Sequence, residues 1–185
     1  MGSPKALLRL DGETFLDRLI LTFTPHCDPV LVVLGYDAGR IRAGIRLAGR
    51  VRFIRNPAPE RGQLSSLQCG LRATPDEATG LIFSPVDYPK VLPATVGRLA
   101  EEFRSSRGEA AVVIPTFQEK RGHPVCVSRE LFADFLALDA SAQARDVIHA
   151  NTARTRYVEV PDPGILHDVD DAASYRRLLE TDRRQ

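Results

Sequence analysis

The chain of 185 residues predicts a three-layer α/β domain, a doubly wound and mostly parallel sheet with helices on both faces. Three observations carry this reading. Short, continuous apolar runs recur along the sequence, as in strands buried on both faces of a parallel sheet. Between them lie segments with the period of amphipathic helices, so strand and helix alternate as in βαβ units with right-handed crossovers. No repeat, low-complexity tract or linker divides the chain, so residues 1–185 are expected to form one domain.

The elements follow in order. Thr14 with Asp17 three residues later predicts a capping box that opens a helix through Phe15, Leu16, Leu19 and Ile20. Val30 to Leu34 is a β-branched strand, with similar runs at 51–54, 80–83, 110–114 and 124–127 and a weaker one at 157–160. Leu92, Val96, Leu99, Ala100 and Phe103 form one apolar stripe of a helix. Gln118 to Pro124 is too polar and Gly-broken to continue the pattern, and predicts a loop or hairpin inserted into the sheet. Asp171 predicts the cap of a last helix containing Tyr175, Leu178 and Leu179.

Composition narrows the function. Hydrophobic residues make up 43% of the chain, enough for a sizeable core, and Lys+Arg 25 against Asp+Glu 24 leaves a formal charge of +1. That balance speaks against nucleic acid or a membrane surface as a partner held by bulk electrostatics. No apolar run approaches the roughly 20 residues that span a bilayer. The start, Met1-Gly2-Ser3-Pro4-Lys5-Ala6-Leu7-Leu8, lacks the basic and apolar regions of a secretory signal, which predicts a cytoplasmic protein. Cys27, Cys69 and Cys126 are odd in number, far apart and without metal spacing, so they read as reduced thiols in or near the core. Lysine occurs only at positions 5, 90 and 120; every other basic residue is Arg.

In doubly wound sheets ligands bind beyond the carboxyl ends of the strands. Three segments qualify. Asp87, in Pro85-Val86-Asp87-Tyr88-Pro89, follows the 80–83 strand on a short stiff loop where a hard cation could bind, or caps a turn before the helix at Pro93. His167-Asp168-Val169-Asp170-Asp171, if extended, turns Asp168 and Asp170 to one face, where they repel unless a cation or basic residue lies between them. Either Asp170 or Asp171 also suits the cap of the last helix. Asn56-Pro57 through Gly62-Gln63-Leu64-Ser65-Ser66-Leu67 offers free N–H groups and two hydroxyls at a helix N-terminus, for a ligand or simply for capping. There is no G-x-G-x-x-G after a strand, no P-loop and no H-x-x-x-H spacing, which argues against a dinucleotide dehydrogenase, a P-loop NTPase and a zinc site. His123, in Gly122-His123-Pro124, is the one histidine in a loop rich in turn residues.

Taken together, these stretches resemble the molybdenum-cofactor nucleotidyltransferase-like (MobA-like) proteins of the GT-A-type superfamily. Within it they look most similar to the molybdenum cofactor cytidylyltransferases. The resemblance rests on 1–8, Asn56-Pro57 with 62–67 and Gly70-Leu71, 85–89, 122–124 and 168–170, in the family's order. It implies a Mg²⁺-dependent enzyme that moves CMP from CTP to the phosphate of molybdopterin and releases pyrophosphate, with a molybdenum hydroxylase as possible client. Lys5 and Asp87 would be catalytic. Gly2, Ser3, Lys5, Gly62, Ser65 and Ser66 would bind the nucleotide, with Gly2 and Lys5 at the triphosphate and Ser66 near the base. His123, Asp168 and Asp170 would serve the acceptor, and Asp87, Asp168 and Asp170 the metal. Alternatives are a guanylyltransferase or a transferase to another small phosphate, and a non-catalytic protein that binds and delivers the cofactor.

One departure carries an expectation of its own. The family's nucleotide loop begins with a strand and an L-A-A-G-x-S-x-R segment ahead of the methionine that matches Met1, and that strand lies centrally in the sheet. Without it, two neighbouring strands would each keep an unpaired edge. The preferred explanation is that Met1 is an internal methionine of a longer frame; the other is a truncated relative that does not bind nucleotide normally.

Overall fold

A computed structural model describes residues 3–182. A short hairpin of β1 (Arg9–Leu10) and β2 (Glu13–Thr14) leads into α1 (Phe15–Phe23), β3 (Leu31–Leu34), α2 (Ala38–Gly44), β4 (Arg52–Arg55), α3 (Gln63–Ala73), β5 (Gly80–Phe83) and α4 (Pro93–Ser105). Then come β6 (Val112–Phe117), β7 (Lys120–Arg121), β8 (Val125–Ser128), α5 (Phe132–Ala137), α6 (Ala144–Ala150), β9 (Thr155–Glu159) and α7 (Ala172–Asp182). Each apolar run read from the sequence is a strand, and the three expected helices are α1, α4 and α7.

The strands form two separate blocks. β3 and β4 pair in parallel, while β5, β8, β6 and β9 run side by side with β7 on the end of β6. β6 and β9 are parallel, and β8 runs antiparallel to both β5 and β6. The reversal comes from the insert predicted at 118–124. Gln118 (φ 50°) and Glu119 (φ 64°) make the tight two-residue turn whose left-handed backbone suits a hairpin, and the chain returns as β7 and β8. The Gln118 N–H donates to Glu159 Oε1 at 2.9 Å, which holds this turn in place.

Side-chain alternation builds the layers. Val112, Ile114, Val125 and Val127 face α3 and α5, packing with Leu71, Leu131, Phe132 and Phe135. Val113 and Cys126 face the other way, toward Leu99 of α4 and Val158 of β9. In the smaller block Val32 and Leu34 pack on Leu16 and Ile20 of α1 and Ile41 of α2. Val33 points to α3, where its Cγ2 lies 3.6 Å from the position a Cβ would take on Gly70. The three thiols are free, with Cys126 buried and Cys27 and Cys69 half-buried.

The helix starts show which local signals hold. The Thr14 hydroxyl accepts from Asp17 N–H at 3.0 Å, as a cap should. The expected return to the Thr14 backbone N–H is absent; the buried Asp17 carboxylate accepts from the Thr14 hydroxyl at 2.8 Å and from Arg46 N–H and Leu47 N–H at 2.9–3.2 Å. It thereby pins α1 to the segment between α2 and β4. Asp171 caps α7 through its contact with Ser174 N–H at 2.7 Å, returned by the Ser174 hydroxyl at 3.0 Å. Among the described residues no helix is long and apolar enough to cross a membrane.

Between the two blocks β3 pairs only with β4 and β5 only with β8, so the facing edges of β3 and β5 are unpaired among the described residues. The gap is an open cavity of about 1450 Å³ that reaches from the strand entries near Val30 and Gly80 to Asp87 and Lys5. The unpaired edges expected from the sequence are therefore present.

Candidate functional site

The mouth of this cavity, beyond the carboxyl ends of β3 and β5, collects residues from both ends of the chain. Lys5 opens a single 3₁₀ turn (Lys5–Leu7) whose buried Ala6 docks into the core with Leu16, Ile20 and Val32. Asp87 sits four residues past β5 and is 7% exposed. Val169 is 1% exposed, packs with Leu10 and Phe15, and donates its N–H to the Asp87 carbonyl at 2.9 Å. Burying Val169 in this way leaves its neighbours Asp168 and Asp170 outside, on the rim.

The Lys5 ammonium bridges the two segments. Its Nζ lies 3.2 Å from Asp87 Oδ2 and 2.8 Å from Asp170 Oδ1. Desolvation pulls the Lys5 pKa down, but the hydrogen bonds and charges of Asp170 and Asp87 outweigh it and the net shift is upward. Lys5 also heads the causes that lower the Asp170 carboxyl, beside which Asp168 lies. Asp168 and Asp170 thus share a face, as the alternation predicts, and a basic residue lies beside them.

The other Asp87 oxygen, Oδ1, is buried and has no hydrogen-bond partner among the described residues. A carboxylate oxygen withdrawn from water and left without a donor is costly unless something positive meets it. It is suited to a divalent cation. Among the described residues, however, no set of three Asp, Glu, His or Cys side chains is arranged to hold a metal ion. The expected triad of Asp87, Asp168 and Asp170 is therefore not formed as a ready ligand cage, since Lys5 occupies the space between Asp87 and Asp170.

His123 and Tyr88 form the next wall. Their ring centroids are 4.7 Å apart, and Phe83 meets His123 edge-on at 6.4 Å. His123 N–H donates to the Ile165 carbonyl at 3.0 Å, and Gly122 lies so close to that carbonyl that a Cβ there would collide with it. The His123 Nδ1 is buried and has no partner among the described residues. Desolvation lowers the His123 pKa although Asp87 pulls it upward, so the imidazole is neutral at pH 7. Tyr88 is pushed up to about 12 by desolvation and then by the charges of Asp168, Asp87 and Asp170, which keeps its hydroxyl protonated.

The loop after β4 is held by Asn56, buried to 2% exposure. Its Nδ2 donates to the Ser65 hydroxyl at 2.8 Å and the Ser66 hydroxyl at 3.0 Å, and its Oδ1 accepts from Ala58 N–H at 2.9 Å. Ser65 donates to the Gly62 carbonyl at 2.8 Å, so this buried hydroxyl ties the loop together and does not cap α3. Ser66 lines the cavity and donates to no described acceptor. The cap of α3 is Gly62 itself, at φ 80°, where a side chain would be strained. Nor does Asp87 cap α4. The residue before that helix, Leu92, donates its N–H to the buried Asp162 at 2.9 Å, with Thr95 donating to the same oxygen at 2.6 Å.

The structure therefore brings Lys5, Asp87, Asp168, Asp170 and His123 together, with Ser66 lining the same cavity. Ser3 is half-buried two residues from Lys5, and Gly2 lies outside the described residues. Sequence reasoning missed Asn56 and Tyr88 as individual site residues. The signal for Asn56 was its place before a proline at a strand end; for Tyr88 it was an aromatic ring beside the loop carboxylate.

Residues 1–156 match the MobA-like NTP transferase domain. A bifunctional GlmU protein from Nocardia farcinica is 32% identical over 122 residues, which cover 62% of this chain and 24% of that protein. A probable molybdenum cofactor guanylyltransferase from Methanothermobacter thermautotrophicus is 30% identical over 116 residues, 62% of this chain and 57% of its own length. The chain thus spans about a quarter and just over half of these curated relatives. Among solved structures, Rv0371c from Mycobacterium tuberculosis H37Rv superposes with a TM-score of 0.82 at 27% identity, over 97% of this chain and 91% of that one. The manganese complex of Rv0371c matches with a TM-score of 0.79 at 28% identity, over 97% and 93% of the two chains.

Proposed function

Because the chain belongs to the MobA-like NTP transferase domain family, we propose that it transfers a nucleoside monophosphate from CTP to the phosphate of a molybdopterin-type acceptor and releases pyrophosphate. The observation that carries this is the Lys5 ammonium held between Asp87 and Asp170 at the carboxyl end of the strands. Attack by one phosphate on another needs charge neutralisation and in-line positioning of two anions. An ionised acceptor phosphate needs no general base. That agrees with a neutral His123, whose imidazole we assign to the acceptor side.

The residues present fit a divalent cation in part. Asp87, through its unpartnered Oδ1, and Asp170 would hold it, with Asp168 on the rim. The manganese complex of the neighbouring structure supports a divalent metal, and Mg²⁺ is the ion proposed for this chain. When bound, such an ion neutralises phosphate charge and orients the triphosphate. Lys5 then has a positive charge to direct at the phosphates, Ser66 offers a hydroxyl toward the base, and Tyr88 and His123 wall the acceptor side. A cytoplasmic location and a molybdenum hydroxylase client belong to the same proposal.

The printed name of the archaeal relative favours a second reading, GTP in place of CTP on the same site. Pyrophosphate release with each nucleoside triphosphate, Mg²⁺ and molybdopterin distinguishes them. Faster release with CTP supports the first reading and faster release with GTP the second. Binding of the finished dinucleotide cofactor without any release points to a delivery protein.

A further inference from the structure

We propose that Arg121, seated on the ring of Tyr157, selects the acceptor by stacking on a planar heterocycle, and so favours a pterin-type phosphate over a sugar phosphate. The inference rests on the transfer reaction proposed above and names a specificity residue for its acceptor.

Strand register sets the pair. Arg121 of β7 stands opposite Thr116 of β6, and Tyr157 of β9 stands opposite Ile114. Thr116 and Ile114 are two positions apart, so all four side chains share the face of the sheet that α3 and α5 cover. Arg121 reaches across β6, and its Cζ lies 4.5 Å from the centroid of the Tyr157 ring. Arg121 lines the cavity and Tyr157, behind it, does not. One side of the guanidinium is therefore on the ring and the other is turned to the cavity.

Nothing else on the page occupies this guanidinium. Glu159, opposite Thr116 on β9, accepts from the Thr116 hydroxyl at 2.6 Å and from Gln118 N–H at 2.9 Å. Among the described residues Arg121 has no partner but the Tyr157 ring. The hairpin does not depend on it either. N–H groups of Gln118, Gly122 and His123 already tie this loop to Glu159, Pro115 and Ile165. A guanidinium stacked on one ring is held flat, and its second side suits another planar group.

The wall between Arg121 and Asp87 has the same character. Phe83, Tyr88 and His123 line it with flat side chains, Tyr88 and His123 at 4.7 Å and Phe83 edge-on to His123 at 6.4 Å. Arg121 and His123 are two residues apart, about 7 Å of extended chain. An acceptor phosphate at the Lys5 and Asp87 end therefore leaves the rest of the acceptor to run past His123 to Arg121. A conjugated ring gains from each of these flat surfaces, and a sugar ring gains less. In this arrangement Tyr157 is a positioning residue, since it acts through Arg121.

The test uses residues 1–185 and three probes that need no turnover: pterin-6-carboxylate, glucosamine 1-phosphate and inorganic phosphate. Pterin fluorescence quenching measures the first, and calorimetry the other two. Arg121→Lys keeps the charge and loses the plane. It is expected to weaken pterin-6-carboxylate about 10-fold or more and to leave the other two within about two-fold. Tyr157→Leu should have the same effect, and Tyr157→Phe, which keeps a ring, should bind like wild type. Equal losses for the pterin and the sugar phosphate would reduce Arg121 to a charge contact and overturn the proposal. So would wild-type pterin affinity in Arg121→Lys, or a wild-type protein that does not bind the pterin.

Turnover separates this inference from the reaction beneath it. Pterin binding lost in Arg121→Lys, with no pyrophosphate release by wild type from any nucleoside triphosphate, upholds the stacking site and removes the transfer. Pyrophosphate release with molybdopterin at a KM that Arg121→Lys leaves unchanged removes the stacking site and keeps the transfer. A raised KM with kcat little altered upholds both.

Discussion

Lys5 and Asp170, 165 positions apart, meet at 2.8 Å, and the same ammonium reaches Asp87 at 3.2 Å. One cation thus keeps two carboxylates from repelling each other. Lys5→Met removes that cation without adding a charge. Affinity for Mn²⁺, measured by calorimetry, should rise because the acidic pair is released, while nucleotidyl transfer should fall about 100-fold or more. Weaker Mn²⁺ binding in this variant would show that Asp87 and Asp170 do not share an ion.

Asp87→Asn keeps the size of a side chain that is 7% exposed and removes its charge. Transfer should drop by about 10²–10³ and Mn²⁺ affinity with it, while circular dichroism and the unfolding midpoint stay close to wild type. Full turnover in this variant would remove Asp87 from the chemistry.

Acid should act through His123. Desolvation holds its folded pKa below the unfolded value of about 6.5. Between those two values the unfolded state binds more protons, so stability falls as pH drops below about 6.5 and is regained as pH rises. His123→Gln should flatten that part of the stability curve while leaving the behaviour above pH 7 unchanged. Denaturant midpoints from pH 7.5 to 5 in both proteins would measure the difference, and equal slopes would count against it.

Asn56 and Ser66 separate scaffold from recognition. Asn56→Ala breaks three hydrogen bonds around a buried amide and should destabilise by about 2 kcal/mol. Ser66→Ala loses only one and should change stability by less than about 1 kcal/mol, yet shift the ratio of CTP to GTP use. An unaltered ratio would place Ser66 away from the base.

Gly122→Ala puts a methyl against the Ile165 carbonyl and must move one of the two segments. A loss of about 1–3 kcal/mol is expected, together with a weaker apparent affinity for the acceptor, because His123 is bonded to that same carbonyl. A wild-type unfolding midpoint in urea would rule out the clash.

The parts of this molecule that were legible in the sequence are those set by local chemistry. Val30–Leu34 reads as a buried strand because both faces are covered, and Asp87 and Asp170 read as site residues because they follow strands in stiff or extended segments. Long-range partners were less visible. Ser65 looks like a cap or ligand residue in sequence, yet a bond from distant Asn56 commits it to the loop. Asp17 looks like half of a capping box, but its carboxylate accepts from the Thr14 hydroxyl and from backbone N–H groups some thirty positions away, not from the Thr14 N–H. The antiparallel course of β8 depends on two left-handed residues, Gln118 and Glu119, whose types favour no such turn. The Lys5 bridge was not legible, since nothing near Lys5 in sequence predicts a partner at position 170.

The scarcity of lysine makes that bridge a natural chemical reporter. Only Lys5, Lys90 and Lys120 carry side-chain amines that an acylating reagent can modify, and arginine does not compete. Lys120 stands exposed on the β-hairpin and serves as an internal reference. Lys5, its proton held by two carboxylates, should acylate slowly in the resting protein, and any ligand that draws Asp87 or Asp170 away should change that rate. Peptide mass mapping at three sites can therefore follow the state of the site directly, with no labelled substrate and no engineered probe.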